Sequence, residues 1–397
     1  MREQKRATVR DLRRDNRSVL LTSLFFDQPR SRQELSEATR LSPASVSNVT
    51  RELIGEGIVV EAGSVDSDGG RPRALLQINP DYGYVIGVDV GETRVRVELF
   101  DLMMTERAKA NYLLAPREHG VDVIVGAILT GLDTVLANAG VEGSRVLGVG
   151  VGVPGIVEHG PEVLVHGQTF GWESTPLERL LRSGTESCTE LPLDIDNGAK
   201  TMGQAEMWFG AGRGAQHAVV CLIGSGAGAS IITNGRAHRG STSSAGEWGH
   251  ATVALGGRAC RCGARGCLEA YVGAEAILDR YGRPLPGDDQ ESALAALIDS
   301  YAASAPAAKV LDDTAVYLGA GIGNLINLFN PERIILGGWA GLLLGDRLLP
   351  AIREAARERS LRHPFAGTLI SLGQLGPDAV ALGAATLPIE RFLSGIL

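Results

Sequence analysis

GYVIGVDVGETRVRVELFD, residues 83–101, is the stretch whose reading decides the fold of the chain's larger part. The apolar run from Tyr84 to Val90 reads as a buried strand. Asp89, Gly91 and Thr93 then form a D-x-G-x-T turn, and a second strand follows with alternating character. Such a turn lets the backbone come close to phosphoryl oxygens. Three further segments repeat the plan of strand and Gly-rich turn. They are VLGVGVGVPGIVE (146–158), AVVCLIGSGAGASIITNGRAHRG (218–240), with Gly224, Gly226 and Gly228 at its turn, and RIILGGWAG (333–341). One Gly-rich turn is a weak signal; four strand–turn units in order are a much stronger one.

Composition sets the frame around that body. At 397 residues the chain predicts two or three domains, and 44% hydrophobic against 21% charged residues describes a soluble globular protein. No apolar run reads as membrane-spanning and the N-terminus lacks the apolar core of a signal peptide, so the expectation is a cytoplasmic protein with no membrane partner. The net charge of −8 is uneven: residues 1–80 hold 13 basic and 11 acidic side chains, the remainder 25 and 35. Seven of those basic groups lie in the first 17 residues, which predicts a basic arm over 1–15 suited to nucleic acid.

Residues 16–80 predict three helices and a hairpin. Val19, Leu20, Leu24 and Phe25 supply one apolar stripe. After a break at Asp27–Pro29, Ser31 and Glu34 make a capping box. Ser42 caps the next helix with Pro43 in its first turn. That helix is expected to turn Ser45, Ser47, Asn48, Thr50 and Arg51 outward, and Val46, Val49, Leu53 and Ile54 inward. GIVVEAGSVDSDGGRPRALLQINP (57–80) reads as a wing with Arg71 and Arg73 at its tip. A winged helix-turn-helix contacting double-stranded operator DNA follows, with Arg32, Ser42, Ala44, Ser45, Ser47, Asn48, Arg51, Arg71 and Arg73 as the contact set.

Five cysteines are present, three of them within eight residues. His250 precedes Cys260 by ten positions, and Cys260, Cys262 and Cys267 form a Cys-x-Cys-x4-Cys knuckle with glycines at 263 and 266. Three thiolates and one imidazole satisfy tetrahedral zinc and leave no open position, so the site predicted is structural. Cys188 and Cys221 read as ordinary thiols.

In order, GVDVGET, GVGVGVPG, GSGAG, SSAGEWGHATV, CRCGARGCLEAYVG and IILGGWAG resemble the ROK family of repressors, open reading frames and kinases. The resemblance spans essentially the whole chain, including the winged helix of the repressor branch. It implies a two-lobed, actin-like α/β fold of the sugar-kinase type, dimeric or tetrameric, with a sugar in the cleft. A small lobe is expected over 84–195 and a large lobe with the zinc loop over 196–397, the last helix returning to the small lobe. The resemblance also implies that Glu247, His250 and Glu269 bind sugar hydroxyls, with Asn197 beside them. Carboxylates and an amide suit a polyol, whose hydroxyls both donate and accept.

LPLDIDNGAKTMGQAE, residues 191–206, then separates enzyme from sensor. ROK kinases read E-N-D-A-N here, ahead of a helix ending in Ala-Glu. Anchored on Pro192 and Ala205–Glu206, the alignment puts Asp196 on the family's Glu, Asn197 on its Asn, Gly198 on its catalytic Asp and Lys200 on its second Asn. A general base contributes typically ~10²–10⁴-fold, and here a hydrogen atom replaces it. If LDID is a strand, Asp194 and Asp196 share a face, and two residues of displacement is about 6–7 Å. Proton transfer needs roughly 3 Å. No catalytic residue is therefore assigned. Kinases of the family carry D-x-G-G-T-K at the first phosphate turn, where this chain has Glu92 and Arg94. Asp89, Gly91, Thr93, Gly224 and Gly226 are accordingly a degenerate phosphate site, and ATP is not expected as a cofactor.

The expectation is a sugar-responsive transcriptional repressor of carbohydrate genes, a homodimer or homotetramer with structural zinc. Two alternatives stay open. One is an active sugar kinase fused to a DNA-binding domain; the other is a regulator governed by a protein partner.

Overall fold

A computed structural model describes residues 9–65, 72–115, 118–184 and 191–395. The N-terminal head is built from α1 (Val9–Asp27), β1 (Arg30–Ser31), α2 (Arg32–Thr39), α3 (Pro43–Gly55), β2 (Val59–Val65) and β3 (Arg73–Ile78). The capping box at Ser31 and Glu34 forms, and Ser42 accepts from the Ser45 amide. The strands pair in the order β1-β3-β2. Leu20, Leu21, Leu24, Phe25, Leu35, Val46 and Leu53 close the head's core.

Three expectations need correction here. The helix α1 begins at Val9, inside the stretch assigned to an arm. Two of its basic groups are already engaged, Arg13 with Glu52 at 3.2 Å and Arg17 with Glu56 at 2.9 Å, because α1 and α3 are neighbours. Val19 is exposed, and Leu21 takes its place in the stripe. Thr50 faces inward: its hydroxyl donates to the Val46 carbonyl and accepts from Arg32 Nε, which lets a polar side chain be fully buried.

The small lobe follows with β4 (Tyr84–Val90), β5 (Arg94–Asp101), β6 (Glu106–Leu113), α4 (Val121–Ala139), β7 (Val146–Val153), β8 (Ile156–His159), β9 (Val163–Gly167), β10 (Trp172–Thr175), α5 (Leu177–Gly184) and β11 (Leu193–Asn197). Its main sheet runs β11-β7-β4-β5-β6. By length and composition α4 is apolar enough to cross a membrane, contrary to the sequence reading. It packs instead on β5 and β6 through Ile124, Ile128, Leu132 and Val135. The alternation expected of β5 is lost, because Arg96 and Glu98 are buried as well. Lys109 and Asp378 supply their partners.

The large lobe comprises α6 (Gly198–Phe209), β12 (Ala218–Ile223), β13 (Ala227–Thr233), β14 (Arg236–Ala237), α7 (Glu269–Val272), α8 (Ala274–Tyr281), α9 (Gln290–Asp299), α10 (Ala305–Phe329), β15 (Arg333–Gly337), α11 (Trp339–Arg359), α12 (Arg362–Gly367) and β16 (Leu369–Leu372). Its sheet order is β14-β13-β12-β15-β16. The last helix, α13 (Ala379–Leu393), packs against β4 and β7 of the small lobe. Gly87 and Gly150 permit that approach, since a Cβ at either would strike the backbone of Ala381 or Ala384.

Head and body share one hydrophobic cluster. Phe25 and Phe26 at the end of α1 meet Trp208 and Phe209 at the end of α6, with ring centroids 5.1–6.5 Å apart.

Candidate sugar cleft and metal cluster

The four strand–turn units converge on a cleft of about 520 Å³ between the lobes. Asp89, Gly91, Glu92 and Thr93 line it from the turn after β4, and Pro154 and Gly155 from that after β7. Asn197 and Gly198 at the start of α6, Gly224–Gly228, Glu247, His250, Arg261 and Glu269 complete the opposing walls. His166, Gln168 and Thr169 also line it; no motif in the sequence marks these.

Asn197 caps α6. Its Oδ1 accepts from the Ala199 and Lys200 amides, and its Nδ2 donates to the Gly155 carbonyl at 2.7 Å. One N–H remains for a ligand. Gly198 follows as the first helical residue. A Cβ there would rest in ordinary contact, 3.5 Å from Val380 Cγ1, so a carboxylate is missing for lack of a side chain and not for lack of room. Neither neighbouring acid replaces it. Asp194 pairs with Arg391 at 3.2 Å, and buried Asp196 pairs with Arg239 at 2.5 Å. Lys200, where the kinases have Asn, is buried and donates to the Ser243 carbonyl; burial lowers its pKa.

Glu247 and His250 sit on one short turn, with His250 Nε2 4.0 Å from Glu247 Oε2. Burial raises the Glu247 carboxyl above its ordinary range, more than His250 and Lys200 lower it. Glu269 opens α7. Its Oε2 accepts from the Ala227 amide and its Oε1 from Arg261 Nε, both close to 2.9 Å. Burial would raise this carboxyl too, but Arg261 and the amide outweigh it and hold it low.

The ligand atoms of His250, Cys260, Cys262 and Cys267 all lie within 4.8 Å of one another. Cys262 Sγ is 3.7 Å from Cys267 Sγ, and Cys260 Sγ is 3.8 Å from His250 Nδ1. Tetrahedral zinc with sulfur at ~2.3 Å has S···S edges of about 3.8 Å, so the donor set and spacing fit such an ion. With Nδ1 aimed at the cluster, the Nε2 of His250 is left for the cleft. Cys221 is buried away from the cluster, and Cys188 lies outside the described residues.

At the turn after β4, the two residues that depart from the kinase pattern are both engaged. Glu92 pairs with Arg261 through both carboxylate oxygens, at 2.7 and 2.9 Å. Arg94 donates to Glu291 at 2.8 Å. The Trp339 indole lies beside Gly224. Arg261 was not singled out in the sequence; an arginine between two candidate metal-ligating cysteines, with an unexplained Glu92 elsewhere, was the available signal.

On the head, Ser42, Ala44, Asn48 and Arg51 are exposed along α3, and Ser45 and Ser47 are half-buried. Arg32 is held by Thr50, and Arg73 donates to Gln33 at 2.7 Å. Arg71 lies outside the described residues.

Residues 85–391 match the ROK family. Over 96% of its length the chain is 31% identical to 96% of a putative xylose repressor from Caldicellulosiruptor sp. (strain Rt8B.4). It is also 33% identical, over 77% of its length, to 94% of a glucokinase from Halalkalibacterium halodurans. Among solved structures it resembles a ROK family transcriptional regulator described as a homolog of the E. coli MLC protein. That match has a TM-score of 0.77 and 25% identity, and covers 96% of this chain and 97% of the other.

Proposed function

This chain belongs to the ROK family, and from that premise we propose that it is a sugar-responsive, DNA-binding transcriptional repressor whose kinase-like body transfers no phosphate. The observation that carries the reading is Gly198: the cleft keeps Glu247, His250 and Glu269 facing a polyol-sized space and lacks a base where the attacking hydroxyl would lie. Repressor relatives spanning head and body support it, and the winged head supplies the DNA contact through α3. The glucokinase relative covers 77% of the chain against 96% for the repressor, so the kinase alternative has a sequence likeness behind it but no base at position 198.

In this reading zinc fills the His250–Cys260–Cys262–Cys267 cluster and holds the loop that presents His250 and Glu269. The chain acts in the cytoplasm on carbohydrate genes, as a dimer or tetramer whose paired heads read two half-sites. Sugar must favour one arrangement of the heads over the other; a tenfold preference corresponds to about 1.4 kcal/mol.

The test is a thermal-shift series with D-xylose, D-glucose and N-acetyl-D-glucosamine, the sugars suggested by the relatives' names. At least one should raise the melting temperature of the wild type. Glu247→Gln, which removes a charged acceptor worth ~1.5–3 kcal/mol, should weaken that sugar roughly 10- to 100-fold. DNA binding without sugar should be unchanged in this variant. No shift with any sugar would count against the sensor reading.

A further inference from the structure

The nucleotide side of the cleft has an occupant of its own: a chain of charges running from one lobe to the other. Glu92 belongs to the first phosphate turn on the small lobe, while Arg261 and Glu269 belong to the metal loop and α7 on the large lobe. The Arg261 guanidinium gives Nη1 and Nη2 to the two oxygens of Glu92 and Nε to Glu269. Each of its three nitrogens thereby donates to a carboxylate, in the planar geometry that suits such partners. Side-chain exposure is 15% for Glu92 and 27% for Arg261, so the pair is only partly screened by solvent.

Three further observations belong to the same assembly. Gly226 of the second phosphate turn makes room for it, since a Cβ there would run into Arg261 Nη2 and Glu269 Oε2. His119 donates from Nε2 to the Glu92 carbonyl at 2.8 Å and stacks on Phe170, which fixes the turn that carries the carboxylate. A second ion pair bridges the lobes beside the first. Arg94 reaches Glu291 at 2.8 Å and Asp289 at 3.6 Å, at the start of α9, while Ser225 donates to the intervening Gln290 at 2.7 Å.

We propose that Glu92 and Arg94 clasp the two lobes, and that Arg261 is a positioning residue that orients the sugar-binding Glu269 and ties it to that clasp. The degenerate phosphate turn thus holds the lobes together by protein charges where a kinase would use nucleotide phosphate. The inference rests on the reading of Glu269 as a sugar ligand for its second half only; the clasp stands on the ion pairs alone. A sugar that binds the closed cleft then gains from the clasp, because less free energy goes into closing the lobes. Glu92 influences sugar affinity without touching sugar.

Amide hydrogen exchange on the full metal-loaded chain tests this, comparing the wild type with Glu92→Gln, Arg94→Glu and the charge-exchanged pair Arg94→Glu/Glu291→Arg. Without sugar, segments 89–96 and 286–293 should exchange roughly tenfold faster in both single variants, the scale expected for losing a charged hydrogen-bonded pair. The charge-exchanged pair should return close to the wild-type rate, a recovery that general loss of packing would not give. With D-xylose or D-glucose as probe, Glu92→Gln should bind several-fold more weakly. Wild-type rates in both single variants, or no recovery in the exchanged pair, would overturn the clasp. Unaltered sugar affinity in Glu92→Gln, with a sugar-binding wild type, would overturn its link to the pocket. A wild type that binds neither of these nor N-acetyl-D-glucosamine would sink the sensor reading and that link together, while the exchange rates still decide the clasp.

Discussion

Cys267→Ser is expected to lower the melting temperature by about 10 °C and to abolish any sugar-induced shift. Cys260 and Cys267 are buried within the large-lobe core, packed with Trp248, Leu268 and Tyr271. Trp248 adds a bond from its indole N–H to the Gly321 carbonyl on α10. Loss of one ligand therefore frees the loop and also opens the core that the loop covers. Breaking a structural metal site of this kind removes several kcal/mol of folding free energy, and in a unit of about 150–250 residues, the scale of the large lobe, each kcal/mol moves the midpoint by ~2–4 °C. The same loop presents His250 and Glu269 to the cleft, so sugar recognition should fail with it. Elemental analysis should give about one zinc per wild-type chain and much less in the variant. Cys221→Ala, at a buried thiol outside the cluster, should keep its metal and its sugar response. Full metal content and an unchanged melt for Cys267→Ser would contradict the assignment.

The second large effect is expected at the joint between head and body. The helix α6 starts in the cleft at the Asn197 cap and ends at Trp208 and Phe209 against Phe25 and Phe26. Twelve residues at 1.5 Å each make it a rod of about 18 Å. Edge-to-face ring pairs hold its far end to α1. Trp208→Ala should leave the sugar affinity unchanged, because the indole does not line the cleft. It should reduce the effect of sugar on DNA affinity from tenfold or more to under twofold, because the head is no longer seated on the helix that senses the cleft. Phe25→Ala should in addition destabilise the head by ~3–5 kcal/mol, as loss of a buried aromatic ring does. Fluorescence anisotropy with a duplex selected from a random pool, with and without sugar, measures the first. A full sugar response in Trp208→Ala would show that the signal travels elsewhere.

What could be read in the sequence is what local chemistry dictates. Ser31 with Glu34, and Ser42 with Pro43, announce helix starts within four residues of themselves, and the helices begin there. The knuckle spacing brings three thiols together with little help from the rest of the fold, and only His250 arrives from ten residues away. Long-range partners were not legible. Glu92 and Arg261 are separated by 169 residues, and Arg94 and Glu291 by 197, so nothing local says that these charges meet. The sequence marks Glu92 only as a departure from the kinase turn, whereas the fold gives it a guanidinium. Thr50 and β5 teach the same lesson on a smaller scale. Polar residues were placed outward by pattern, and tertiary partners allowed them to be buried.

The most direct measurement follows ADP release and thermal stability in one sample of the purified wild-type chain, with ATP, magnesium and a panel of aldoses. Stabilisation by at least one sugar with ADP at the no-enzyme background is the result expected of a cleft with no side chain at 198. Steady sugar-dependent turnover of ATP would contradict it.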